Sequence, residues 1–183
     1  RLQKATAGSG ALGDIGAHIV DMAQYLAGGI AEVSSAMTTF INERPISDEA
    51  ATIAAQGKGK RGAKKGKVDV DDAAIFVARF SNGRTLGTFE ATRFAPGRRN
   101  FNCIEVYGSQ GSVRWNQEDM HVFHYYNAND PATAQGFRRI HATDPGHPFT
   151  EYWWPSAHNI GYENLFAHEL FTFFNEFGRK RVS

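Results

Sequence analysis

Asp14 and His18 stand four positions apart in Gly10-Ala11-Leu12-Gly13-Asp14-Ile15-Gly16-Ala17-His18, a spacing that puts both side chains on one helix face. A carboxylate held next to an imidazole suits proton transfer, because it orients the ring and favours its protonated form near neutral pH. Asp21 extends the same polar strip. With seven histidines in the chain, ~0.3 such Asp-to-His spacings arise by chance, so the pair alone is weak evidence. An acidic residue near a helix N-terminus is also favourable dipole chemistry in its own right. Gly13 and Gly16 bracket Asp14, where each costs a helix about 1 kcal/mol relative to alanine. Glycines there allow close approach of a ligand or another backbone, and tight helix-to-sheet packing explains them nearly as well.

Other constellations are thinner. Asp14, His18 and Asp21 could supply three metal ligands and His121 and His124 two more, but an interval of three on a strand sends those two histidines to opposite faces. No cysteine cluster or His-Glu-x-x-His pattern is present, so no metal site is assigned. Cys103, the single cysteine, lies between Asn102 and Ile104 and reads as a strand residue, inert if buried. Arg93, Arg98, Arg99 and Asn100 sit where a strand runs out into Ala95-Pro96-Gly97, a place where polar side chains line clefts or simply face solvent. His158, Gly161 and Tyr162 precede the last helix; with Trp153 and Trp154 they would form an aromatic, hydrogen-bonding wall suited to a sugar. The plainer alternative is that the tryptophans cover a sheet edge or core.

The elements that must position these residues follow from periodicity. Leu12, Ile15, Ile19, Met22 and Leu26 repeat at intervals of three and four, an apolar helix stripe that Gly28-Gly29 ends. A strand-like segment spans 32–41, followed by a turn-like Asn42-Glu43-Arg44-Pro45. Residues 57–67 carry six basic residues, no acid and four glycines, and read as an exposed flexible loop. Strands are expected at 74–80 and 84–94 around Ser81-Asn82-Gly83, and at 101–107 and 112–115 around Gly108-Ser109-Gln110-Gly111. Further strands are read at 121–126 and 137–143, and Phe166, Leu170, Phe173, Phe174 and Phe177 stripe a closing helix. That order predicts an α+β fold: a mostly antiparallel open sheet with helices packed on one face.

Composition bounds the function classes. In 183 residues, 42% are apolar and the formal net charge is +1, so neither disorder nor an overall electrostatic attraction to nucleic acid or anionic membrane is indicated. No apolar run reaches the ~18 residues of a membrane span. A single cysteine excludes an internal disulfide framework and suits a reducing compartment, here read as the cytoplasm. The glycine-containing segment 8–13 lacks a preceding strand and an acidic residue about 20 positions on, so no dinucleotide site is read in this chain.

Four motifs, in order, say more than their chemistry. GALGDIGAHIVDMAQYLAG at 10–28 resembles the helix opening the second domain of the glucose–fructose oxidoreductase/inositol dehydrogenase (Gfo/Idh/MocA) family. VDVDDAAIFVARFSNGRTLGTFEATRFAPGRRN at 68–100 resembles its central strand pair, YGSQGSVRW at 107–115 its hairpin, and GYENLFAHEL at 161–170 its closing helix. Within the family the sequence is most similar to inositol- and levoglucosan-dehydrogenase-like members. The resemblance implies that residues 1–183 are a C-terminal substrate-binding and oligomerisation domain, with an N-terminal Rossmann domain that binds NAD or NADP lying outside this chain. It carries the acid/base role to His18, and substrate binding with support of that histidine to Asp14. The substrate implied is a sugar or polyol, and Arg93, His158 and Tyr162 are added as candidate substrate contacts. No cofactor-binding residue is assigned within the chain, and the family's catalytic lysine is expected in the first domain. The isolated chain is therefore expected to be inactive. A homodimer or homotetramer through the open sheet face is the expected assembly, without nucleic acid or membrane as partner. The start at Arg1 without methionine fits a downstream piece of a longer chain. The lysine-rich loop departs from the family pattern. The alternative is a non-catalytic oligomerisation or binding module of the same fold.

Overall fold

The computed structural model describes residues 3–45 and 65–182. A short helix α1 (Lys4–Ala7) precedes a π-helical turn (Leu12–Gly16) that runs directly into α2 (Ala17–Ala27). The expected helix is therefore present, and Gly28, at φ 89°, stops it as read from sequence. The opening π turn was not expected, because an apolar repeat of three and four does not distinguish one wide turn from an ordinary one.

The strands are β1 (Ile30–Thr38), β2 (Glu43–Pro45), β3 (Lys65–Lys67), β4 (Ala73–Phe80), β5 (Leu86–Thr92), β6 (Cys103–Tyr107), β7 (Gly111–Asn116), β8 (Val122–Asn127) and β9 (Arg138–His141). They form three ladders, ordered β1-β4-β5, β2-β3 and β6-β7-β8-β9, and every pairing is antiparallel. The 21-residue helix α3 (Tyr162–Val182) closes the chain. The α+β reading holds. Two short segments correct the finer reading. Glu43–Pro45, read as a turn, and Lys65–Lys67, read as loop, pair as β2 and β3. Neither has an apolar period; Arg44 is instead drawn to the buried Asp72, with Nη2 donating to Oδ1 at 2.7 Å. The remainder of the basic stretch, 57–64, lies outside the described residues.

Contacts divide the chain into two compact units, residues 1–98 and 99–183. In the first, β4 reads Ala-Ala-Ile-Phe-Val-Ala-Arg-Phe, and its alternation sends Ala74, Phe76, Ala78 and Phe80 inward while Ile75, Val77 and Arg79 face out. Phe76 stacks on its cross-strand partner Phe89 at 4.5 Å, and burial of such a ring contributes about 1.5–3 kcal/mol. The helical segment lies on this inner face: a Cβ at Gly16 would stand 3.3 Å from that of Ala91. The β4–β5 turn is fastened by Asn82, whose Oδ1 accepts the amides of Arg84 and Thr85, and Gly83 adopts φ 70°.

The second unit is a four-stranded meander. Its register puts Ile104, Val106, Val113, Trp115, Phe123, Tyr125 and Ile140 on one face, and Glu105, Arg114, His124 and Arg139 in a polar row on the other. Cys103 is on β6 as expected from its neighbours, but it is exposed rather than buried. Gly161 N donates to Asn164 Oδ1 at 2.7 Å, a side-chain cap at the start of α3. An aromatic corner joins this helix to the preceding segment. His168 stacks on Phe149 at 4.4 Å, and the Trp153 indole N–H donates to His168 Nε2.

Candidate functional site

The first unit brings Asp14 and Arg93 together, with His18 four residues on from Asp14. Asp14 sits in the π turn and His18 on the first turn of α2, both exposed. Arg93 follows the last residue of β5, and its Nη2 donates to Asp14 Oδ2 as an ion pair. Side-chain exposures of 39% for Asp14 and 29% for Arg93 leave the pair open to a polar ligand. Such half-exposed charges retain hydration, so their pairing orients the carboxylate more than it stabilises the fold. π turns recur where helices carry function, because the extra residue displaces the local backbone from the regular ladder.

The glycines around Asp14 have a packing explanation. A Cβ at Gly10 would lie 1.9 Å from the Asp71 carbonyl oxygen, one at Gly13 would meet Ser9 Oγ at 1.7 Å, and Gly16 abuts Ala91. Close approach by another backbone explains Gly10, which sequence reasoning did not single out, whereas the nearest atoms at Gly13 and Gly16 belong to side chains. The amides here are also spoken for. Gly10 N and Leu12 N donate to Asp71 Oδ1 and Oδ2 at 3.0 and 2.7 Å, and Ala11 N donates to Asp71 O at 2.9 Å. Three consecutive amides of the glycine-containing segment are thus held by Asp71, two by its carboxylate and one by its carbonyl.

His158 and Tyr162 belong to the second unit. His158 Nδ1 donates to Pro155 O at 2.9 Å, fastening its own turn, and Tyr162 meets Phe166 edge-on at 5.4 Å. Trp153 and Trp154 do share a groove of about 310 Å³, with Thr143, Thr150, Glu151 and Ser156 among its lining; His158 and Tyr162 are not part of that lining. His121, weighed as a metal ligand, instead donates from Nε2 to Ile160 O at 2.6 Å. Sequence reasoning missed Asp71 and Asp72. Their only signal was a pair of acids before an apolar strand, and the contacts that give them meaning lie 59 to 61 residues away for Asp71.

The C-terminal-domain model of the GFO/IDH/MocA family matches residues 1–114. The chain belongs to the GFO/IDH/MocA family. Levoglucosan dehydrogenase of Pseudarthrobacter phenanthrenivorans is 42% identical over 182 residues, covering 97% of this chain and 46% of its own length. Among solved structures, an oxidoreductase domain protein from Kribbella flavida superposes with a TM-score of 0.80 at 50% identity, over 92% of this chain and 42% of that one. A levoglucosan dehydrogenase solved with NADH and levoglucosan gives a TM-score of 0.80 at 40% identity, over 96% of this chain and 43% of that one. The chain therefore spans less than half the length of these relatives. Among the described residues, no helix is long and apolar enough to cross a membrane.

Proposed function

We propose that this chain is the substrate-binding part of a cytoplasmic dehydrogenase that oxidises a hydroxyl of a sugar or polyol with NAD or NADP. The observation that carries this reading is the accessible Asp14 carboxylate, paired with Arg93 and four residues ahead of an exposed His18, in a member of this family. His18 takes the proton of the substrate hydroxyl, and Asp14 and Arg93 bind neighbouring hydroxyls and hold the ring to be oxidised. A carbinol carbon releases hydride readily only as its oxygen becomes alkoxide-like, so a base at that oxygen lowers the barrier. The nicotinamide, when bound, accepts the hydride, leaving a ketone and a protonated His18. The cofactor is held by a separate Rossmann domain, as the family resemblance implies.

The test is steady-state turnover of the protein joined to that domain, read by nicotinamide absorbance with levoglucosan and inositol and with each cofactor. His18→Ala lowers kcat by about 10²–10⁴-fold, the range typical of a positioned acid/base, without changing the melting temperature. Wild-type turnover in that variant removes His18 from the mechanism. The present chain alone gives no turnover. A second reading, a non-catalytic assembly module, draws on the apolar Ile75, Val77 and Leu86 exposed on the outer face of the first sheet. It requires that the joined protein turn over no sugar with either cofactor.

A further inference from the structure

Ahead of β4 the chain runs Val68-Asp69-Val70-Asp71-Asp72, with Val68, Val70 and Asp72 buried. Asp71 receives the amides of three consecutive residues, Gly10, Ala11 and Leu12. The opening amides of a helix have no partner within it, so Asp71 completes the start of the turn that carries Asp14, its carboxylate taking the Gly10 and Leu12 amides and its carbonyl the Ala11 amide. The Asp14 amide in turn donates to Gly10 O at 3.1 Å. Asp72 holds the other half of the pair. Its carbonyl accepts Arg93 N at 2.9 Å, and its carboxylate accepts Phe40 N, Ile41 N and Arg44 Nη2 at 2.7 to 3.0 Å. Asp14 and Arg93, 79 positions apart in the chain, therefore meet on supports that are sequence neighbours.

We propose that Asp71 is a positioning residue for the Asp14 carboxylate. The role rests on the dehydrogenase reading above, in which Asp14 binds substrate beside His18. Amide-to-carboxylate bonds are roughly twice as strong as neutral ones. Asp71→Asn turns one acceptor into a donor facing a donor, so the turn carrying Asp14 shifts relative to Arg93. Displacement of a catalytic group by about 1 Å costs about 10²-fold in rate.

The experiment compares Asp71→Asn with Asp69→Asn, whose carboxylate, among the described residues, accepts the Lys4 amide of α1 at 2.6 Å rather than an amide of the turn that carries Asp14. In the protein joined to its nicotinamide-binding domain, Asp71→Asn lowers kcat on the polyol about 10- to 100-fold with the KM for nicotinamide unchanged, whereas Asp69→Asn leaves both alone. A lowered melting temperature with wild-type kcat in Asp71→Asn overturns the proposal. Asp71→Glu keeps charge and acceptors but lengthens the arm by one methylene; it gives the same kcat loss if Asp71→Asn does not fold. In the present chain, nitrogen-15 NMR of Arg93 reads the ion pair without any turnover. Its guanidinium protons exchange slowly in the wild type and rapidly in Asp71→Asn, and equal exchange in the two overturns the proposal. Loss of that protection, combined with a wild-type protein that oxidises no polyol, supports the Asp71 support and defeats the dehydrogenase reading instead.

Discussion

What an absent Cβ would meet decides what each glycine near Asp14 is for. At Gly10 the obstacle is backbone, the Asp71 carbonyl at 1.9 Å, which cannot rotate aside. Gly10→Ala therefore separates the two segments and destabilises the chain by about 1–3 kcal/mol. At Gly16 the neighbours are Leu12 Cδ1 at 3.0 Å and Ala91 Cβ at 3.3 Å, and the leucine tip yields. The helix preference of alanine, about 1 kcal/mol, offsets that squeeze, so Gly16→Ala changes stability by less than about 1 kcal/mol. Urea unfolding of the two variants separates these outcomes; equal losses would mean that helix propensity, not packing, governs both sites. In sequence the glycines look alike. Asp14 and His18 were legible because a four-residue interval is a local signal, and Arg93 was legible as a polar strand end. Its pairing with Asp14 and the role of Asp71 depend on register across the sheet, which no local spacing encodes.

At the scale of elements, the segments readable from sequence are those whose side chains alternate between two environments. β4, β5, the β6–β7 hairpin, α2 and α3 lie within a few residues of their expected bounds, because apolar periods of two and of three to four report burial directly. β2 and β3 were illegible because a salt bridge and backbone pairing, not apolar burial, hold them. The aromatic corner before α3 shows a further device hidden from sequence. His168 is an acceptor for the Trp153 indole N–H, so its Nε2 is unprotonated, and burial lowers the pKa of the ring below the ordinary 6.5. The folded corner thus binds a proton more weakly than the unfolded chain. Its contribution to stability is complete above about pH 6.5 and declines as pH falls from there through the folded pKa. Thermal melts from pH 8 to pH 5 should show the second unit losing stability over that window. His168→Phe, which keeps the ring contact with Phe149 but cannot bind a proton, flattens the dependence; an unchanged slope would assign it to other groups.

At the scale of the molecule, the outer face of the first sheet is the feature that a lone copy of this chain does not explain. Register places Ile75, Val77 and Leu86 on that face beside Thr88 and Glu90, while the inner face carries the core. The three apolar residues are 59%, 54% and 68% exposed, although β4 is the central strand of its ladder and its inward neighbours are buried. A central strand with apolar residues on both sides has the pattern of a strand covered on both faces. Association of two such faces removes these side chains from water, at about 25 cal/mol per Å² of apolar surface. If two copies pair through this face, Ile75→Lys together with Val77→Glu lowers the mass measured by sedimentation or light scattering. Neither side chain is in the core, and strand-propensity changes on an exposed face stay within about 1 kcal/mol, so the melting temperature of the folded unit shifts little. An unchanged mass in the double variant would place the contact elsewhere. A collapse of folding would show instead that the outer face is part of the unit's own support.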